Sequence, residues 1–168
     1  MRPLSIALLL ITFIAATASA AVEVGKEPPD YLGKDPSGRQ IHVSDYRGKL
    51  VIVSFFASWC GPCRKELPML AEIQKQAGRD KIVVVAVNYK EGSAVVRKLR
   101  KSLDEYGVTI TDDYSGSIGS KFGVAALPRL VLIGRDGRVA AAHVGYGEAS
   151  LPGLVKEINR IYVETATP

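Results

Sequence analysis

Apolar positions along the chain fall into two patterns, continuous β-branched runs and helical stripes, and their order predicts an α/β fold. Leu50–Ala57 (LVIVSFFA) and Lys81–Asn88 (KIVVVAVN) are apolar at successive positions, as strands covered on both faces are. Between them Gly61–Ala77 has helical periodicity, and Gly78 suits the C-terminal end of that helix. Strand, helix and strand make a βαβ unit with parallel strands and a right-handed crossover. Ser93–Tyr106 predicts a second helix stopped at Gly107, and Ser117–Phe122 a short one. Arg129–Ile133 and Val139–Val144 flank Gly134-Arg135-Asp136-Gly137, an Asp-Gly turn that predicts an antiparallel hairpin. Leu151–Val163 reads as a closing amphipathic helix. Ahead of the first buried run, Asp35-Pro36-Ser37-Gly38 signals a turn before the alternating Gln40–Val43, and Ser44–Lys49 is a polar connection. The order βαβα followed by ββα predicts an α/β sandwich with a mixed sheet, without repeats or a second domain.

The first twenty residues stand apart. Arg2 precedes an apolar run, Leu4–Ala16, and Ala18-Ser19-Ala20 offers the small-x-small pattern of a signal-peptidase site. Residues 1–20 are therefore expected to be a signal peptide, with retention as an anchor the alternative; the run is short for a span, which needs about 20 apolar residues. The remaining chain, 21–168, is expected to be one domain working in the periplasm or otherwise outside the cytoplasm. The 168 residues carry a net charge of +5, spread along the chain. The densest basic stretch, Arg97, Lys98, Arg100 and Lys101, has helical spacing and few aromatics nearby, which fits a solvated helix face rather than nucleic-acid binding.

Chemistry concentrates in the only two cysteines, Cys60 and Cys63. A disulfide closing so small a ring removes little chain entropy, so the pair is there to react or to bind. It falls where the first buried strand hands over to its helix, the end at which open α/β sheets gather reactive groups. Unpaired N–H groups and the positive helix end favour a thiolate at Cys60. Gly61-Pro62 gives a tight entry, Pro being tolerated in a first turn. Cys63 lies within reach of Cys60, so the spacing suits attack by Cys60 on a disulfide and release of the partner by Cys63. Trp59 is expected to shield the pair, and Arg64 and Lys65 add positive charge close by. Half a zinc site would need a second Cys pair or clustered histidines, which the sequence lacks.

The segment Val53–Pro68, VSFFASWCGPCRKELP, resembles the thioredoxin-like family, and more narrowly its exported TlpA/ResA branch with the CcmG-type proteins. Gly25–Tyr31, Ser44–Lys49 and Gly123–Pro128 resemble the same branch, so the likeness runs from about Gly25 to the last helix. It implies a thioredoxin-like three-layer sandwich with an N-terminal β-hairpin extension and a central insert. It also implies a cis Leu127-Pro128 bond against the cysteines, and a helix kinked at Pro68, which cannot bond to the Arg64 carbonyl. Catalytic roles are expected for Cys60, Cys63, Pro128 and Glu91, and substrate contacts for Trp59, Gly61, Pro62, Leu127 and Arg129. Thioredoxin has a buried Asp six residues before the first Cys; here Ser54 stands there, leaving proton handling to Glu91 or water. Where the branch commonly has Thr after the cis-Pro, this chain has Arg129, which would lower the Cys60 pKa, steer an acidic partner, or point away.

The expected activity is dithiol–disulfide exchange with partner proteins, as a reductant, by a monomer needing no cofactor or metal. Apocytochrome c or a copper-site protein are the expected substrates, and a membrane thiol transporter the electron donor. The alternatives are Cu(I) binding by the same cysteines and thiol peroxidase chemistry. A cysteine hydrolase using His42, His143 or Asn159 would leave Cys63 without a use.

Overall fold

The computed structural model describes residues 22–92, 94, 97, 98, 107–147, 149 and 151–165. The expected signal segment and most of the helix expected over Ser93–Tyr106 lie outside the described residues. Seven strands form one mixed sheet: β1 (Tyr31–Lys34), β2 (Gln40–His42), β3 (Leu50–Phe56), β4 (Ile82–Tyr89), β5 (Thr109–Asp113), β6 (Arg129–Ile133) and β7 (Val139–Val144), in the spatial order β2-β1-β5-β4-β3-β6-β7. Three helices are described: α1 (Gly61–Ala77), α2 (Ser117–Lys121) and α3 (Leu151–Glu164).

The two continuous apolar runs take the middle of the sheet, where both faces are covered. β3 and β4 pair in parallel from Leu50–Ile82 to Phe56–Asn88, and β6 pairs antiparallel with β3. Strand side chains alternate between faces, so each run feeds two cores. Leu50, Ile52, Phe56, Val84 and Ala86 meet Leu67, Leu70 and Ala71 of α1 and Ile158 and Ile161 of α3. Val51, Val53, Phe55, Val85 and Val87 meet Leu32, Ile41, Ile118 and Phe122 on the other face. Leu70, Ile52 and Phe55 are fully buried, each contributing about 1.5–3 kcal/mol through the area removed from water. The layers are thus the α1/α3 helices, the sheet, and on its other face a cover that includes α2, while the N-terminal hairpin extends the sheet at its edge.

β5 is not revealed by the sequence pattern, and β1 is expected only through the hairpin that the resemblance implies. β5 runs parallel to β4 and joins the hairpin β1–β2 to the sheet through the Lys34–Asp112 pair. The Thr111 hydroxyl fastens this junction by donating to the Leu32 carbonyl at 2.6 Å. Gly33, at a bulge in β1, has φ +108°, and a Cβ there would come 2.8 Å from the Asp112 carbonyl oxygen; both facts require glycine. Val43, expected to end β2, instead opens a 3-10 turn, Val43–Tyr46.

The chain enters this domain at the sheet end remote from the cysteines. The Gly25 N–H donates to the Val139 carbonyl at 2.8 Å, and the Val139 N–H to that of Lys26 at 2.9 Å. Val139 lies in register with Ile133 and, through it, Val51, near the start of β3. Among the described residues, no helix is long and apolar enough to cross a membrane.

Candidate active site

β3 ends at Phe56, and a three-residue turn carries the chain to Cys60, the N-cap of α1. The Cys60 N–H donates to the Ala57 carbonyl at 3.1 Å, and its Sγ accepts from the Cys63 N–H at 3.2 Å. That sulfur therefore meets one of the unpaired donors a helix start provides. Cys60 and Cys63 form a disulfide with Cα atoms 5.3 Å apart. They are not equivalent: Cys60 is 5% exposed and Cys63 fully buried. Cys60 is the outer sulfur, able to meet another molecule, and Cys63 the inner one.

The bond Leu127-Pro128 is cis, and Pro128 is buried immediately before β6. The Pro128 carbonyl accepts from the Gly145 N–H at 2.8 Å, linking the loop that enters β6 to the one that leaves β7 at the same end of the pair. Trp59, expected to shield the cysteines, stands largely in solvent at 71% exposure. Gly61, Pro62, Arg64, Lys65 and Tyr146 line an open hollow of about 480 Å³ beside the pair. Arg129 has the strand parity of Val131, which places it on the Phe55 side of the sheet, opposite the core that holds the cysteines. Its Nε is buried without a hydrogen-bond partner among the described residues. His42 lies on β2 at the far edge of the sheet.

Glu91, half-buried in the insert after β4, binds the turn before Cys60. Its carboxylate accepts from the Ser58 N–H at 2.6 Å, the Ser58 hydroxyl at 2.7 Å and the Asn88 side-chain amide at 2.8 Å. Burial pushes its pKa up, but the three hydrogen bonds outweigh it and hold the carboxyl below its usual range. A carboxylate so held is a clamp on Ser58 rather than a group that exchanges protons near neutrality.

The acid that can do so is Glu66, which the sequence reading passed over. It is 1% exposed, and burial raises its pKa to about 7, against the opposing effect of a 2.8 Å hydrogen bond from the Ser54 hydroxyl. Glu66 lies three residues after Cys63, so both occupy the inner face of α1. Ser54, at the position of thioredoxin's buried Asp, thus supports a carboxyl supplied by the helix instead. Glu66 also floors an open groove of about 710 Å³ lined by Leu130, His143, Tyr146 and Glu157. A signal was present: buried residues of α1 recur at 63, 66, 67, 70, 71 and 74, and Glu66 falls on that stripe.

Strand, reactive turn, helix and cis-Pro loop together define a thioredoxin-like thiol–disulfide oxidoreductase. The chain belongs to the Redoxin family, whose model matches residues 23–158. It is 33% identical over 149 residues to the thiol-disulfide oxidoreductase ResA of Bacillus subtilis (strain 168), covering 83% of this chain and 82% of that one. Thioredoxin-like protein YneN of the same organism is 33% identical over 126 residues, covering 74% and 73%. A Chlorobium tepidum structure assigned as thiol:disulfide interchange protein DsbE superposes with TM-score 0.77 at 30% identity, covering 84% of this chain and 99% of that one.

Proposed function

We propose that the chain reduces disulfides of partner proteins outside the cytoplasm, with Glu66 as the proton acceptor for Cys63. Cys60 attacks a partner disulfide, forming one S–S bond and releasing one partner sulfur as a thiolate, which takes a proton from solvent. Cys63 passes its thiol proton to the Glu66 carboxylate. The Cys63 thiolate then attacks Cys60 Sγ, forming the internal disulfide and expelling the second partner thiolate, which also takes a proton from solvent. Two electrons leave the protein and one partner disulfide becomes two thiols.

The observation carrying this reading is the asymmetry of the pair, an outer, slightly exposed cysteine and a fully buried inner one on the helix face that bears Glu66. The same carboxylate favours the reductant direction. A negative group beside Cys63 disfavours thiolate, and a dithiol that gains little from ionisation is the better electron donor. Glu91 serves as a positioning residue, holding the Ser58–Trp59 turn that presents Cys60. Domain limits of 21–168, a periplasmic setting, haem-binding cysteines of apocytochrome c or a copper-site protein as substrates, and a membrane thiol transporter as donor complete the proposal. These finer assignments rest on the TlpA/ResA resemblance.

Measurement of the Cys60–Cys63 reduction potential, with identification of proteins trapped by Cys63→Ser, tests it. Expected are a potential well below about −180 mV, the value of protein disulfide isomerase, and adducts through Cys60. A potential above that value would refute the reductant direction.

A further inference from the structure

Glu66 shares its groove with a second pair of ionisable side chains. Register aligns Ala86, Ser54, Leu130 and His143 in one row across β4, β3, β6 and β7. Residues paired directly across strands share a face, and Ala86 and Leu130 face the α1/α3 layer, so Ser54 and His143 do too. Glu66 of α1 binds Ser54, and Glu157 of α3 meets His143 with Oε2 2.8 Å from Nε2. Two strand spacings of about 4.8 Å separate Ser54 from His143, so the two stations lie about 10 Å apart on one groove. Leu130 stands between them, leaving an apolar floor rather than a hydrogen-bond chain.

Among the described residues, this pair is the charged neighbour of Glu66 across the groove. β3 and β6 contribute Ser54 and Leu130, the loop after β7 contributes Tyr146, and α1 contributes Cys63 on the same face. Arg64 and Lys65 are exposed on α1, Lys156 is exposed on α3, and Arg160 is engaged with Glu164.

We propose that the His143–Glu157 pair is the electrostatic control of Glu66, two positioning residues that set the pH at which Cys63 can hand over its proton. The proposal rests on the reading that Glu66 receives that proton. With His143 protonated the pair is neutral towards Glu66. Where no positive charge on His143 balances it, the Glu157 carboxylate leaves Glu66 holding its own proton more firmly.

The test uses variants whose effects must oppose each other. His143→Leu leaves Glu157 unpaired and should raise the Glu66 midpoint; Glu157→Gln removes the negative charge and should lower it. At about 10 Å and partial exposure, about half a pH unit in each direction is expected. Two readouts follow it: the 13C carboxyl titration of Glu66, and the pH midpoint of the second thiolate released when the reduced protein reacts with an aromatic disulfide. The first release reports Cys60, the second Cys63. Thermal melting verifies folding, and His143→Gln replaces His143→Leu should the latter unfold. Midpoints moving in opposite directions support the proposal; any other pattern overturns it. A second release whose pH dependence survives Glu66→Gln would overturn the Glu66 reading itself, and the proposal with it.

Discussion

Glu66→Gln should make the oxidised protein less sensitive to pH, and the sign follows from the carboxyl's surroundings. In the unfolded chain a glutamate titrates near 4.5, whereas in the fold burial raises Glu66 to about 7. Between those values the folded state binds more protons than the unfolded state, so stability falls as pH rises through that window. Below it Glu66 is neutral in both states and imposes no charge-burial cost; above it the full cost applies. At about 1.4 kcal/mol per pH unit the full cost is about 3 kcal/mol, undiminished by solvent because Glu66 is 1% exposed. Gln keeps a side-chain oxygen able to accept from Ser54, so the substitution removes the ionisation and spares the contact. Denaturant unfolding of both oxidised proteins from pH 4.5 to 8 isolates the effect, because other titrating groups cancel in the difference. The variant should gain on the native protein by about 3 kcal/mol across that range. A difference independent of pH would refute the buried, proton-exchanging Glu66. The same variant should slow the Cys63 step and flatten its pH profile, an exchange of stability for function expected at active sites.

Other positions give sharper single outcomes. Cys63→Ser should accumulate mixed disulfides through Cys60, seen by mass spectrometry of acid-quenched mixtures; adducts at no defined residue would exclude the two-step exchange. Glu91→Gln should weaken the clamp on Ser58, slowing the first thiolate release several-fold, since hydrogen bonds to a charged group contribute about 1.5–3 kcal/mol. Because the Glu91 pKa is depressed, its contribution to stability is present above about pH 4.5 and is lost as pH falls through the folded value; acid unfolding of the variant should show a shallower loss. Asp113→Ala removes the carboxylate that accepts from the Ile118 and Gly119 N–H groups at 3.2 and 2.7 Å. It should cost about 1–2 kcal/mol in thermal or denaturant unfolding.

The parts of the fold most legible in the sequence were those whose pattern reports burial directly. LVIVSFFA and KIVVVAVN could only be two-sided strands, and they fix the reactive turn between β3 and α1. β5 escaped because Thr109–Asp113 is short and partly polar; it is held through Thr111 and Asp113 contacts that exist only once the hairpin and α2 have docked. Glu66 escaped for a related reason. A glutamate in RKEL reads as helix surface unless its place on the stripe with Cys63, Leu67 and Leu70 is weighed against Ser54, which needs a buried partner. Cys60 and Cys63 needed no such pairing, because their spacing already states the chemistry.

The attachment of the lead at Gly25 and Lys26 to Val139 also governs reach. β3 has seven residues, so the sheet carries the disulfide about 20 Å beyond the point where the lead joins it. Anything that holds the protein by its amino end, surface or larger assembly, therefore grips the domain by its base and leaves the reactive rim pointing outward. Trp59 and the hollow beside it are then presented to proteins arriving from solution, with the sheet itself as the spacer.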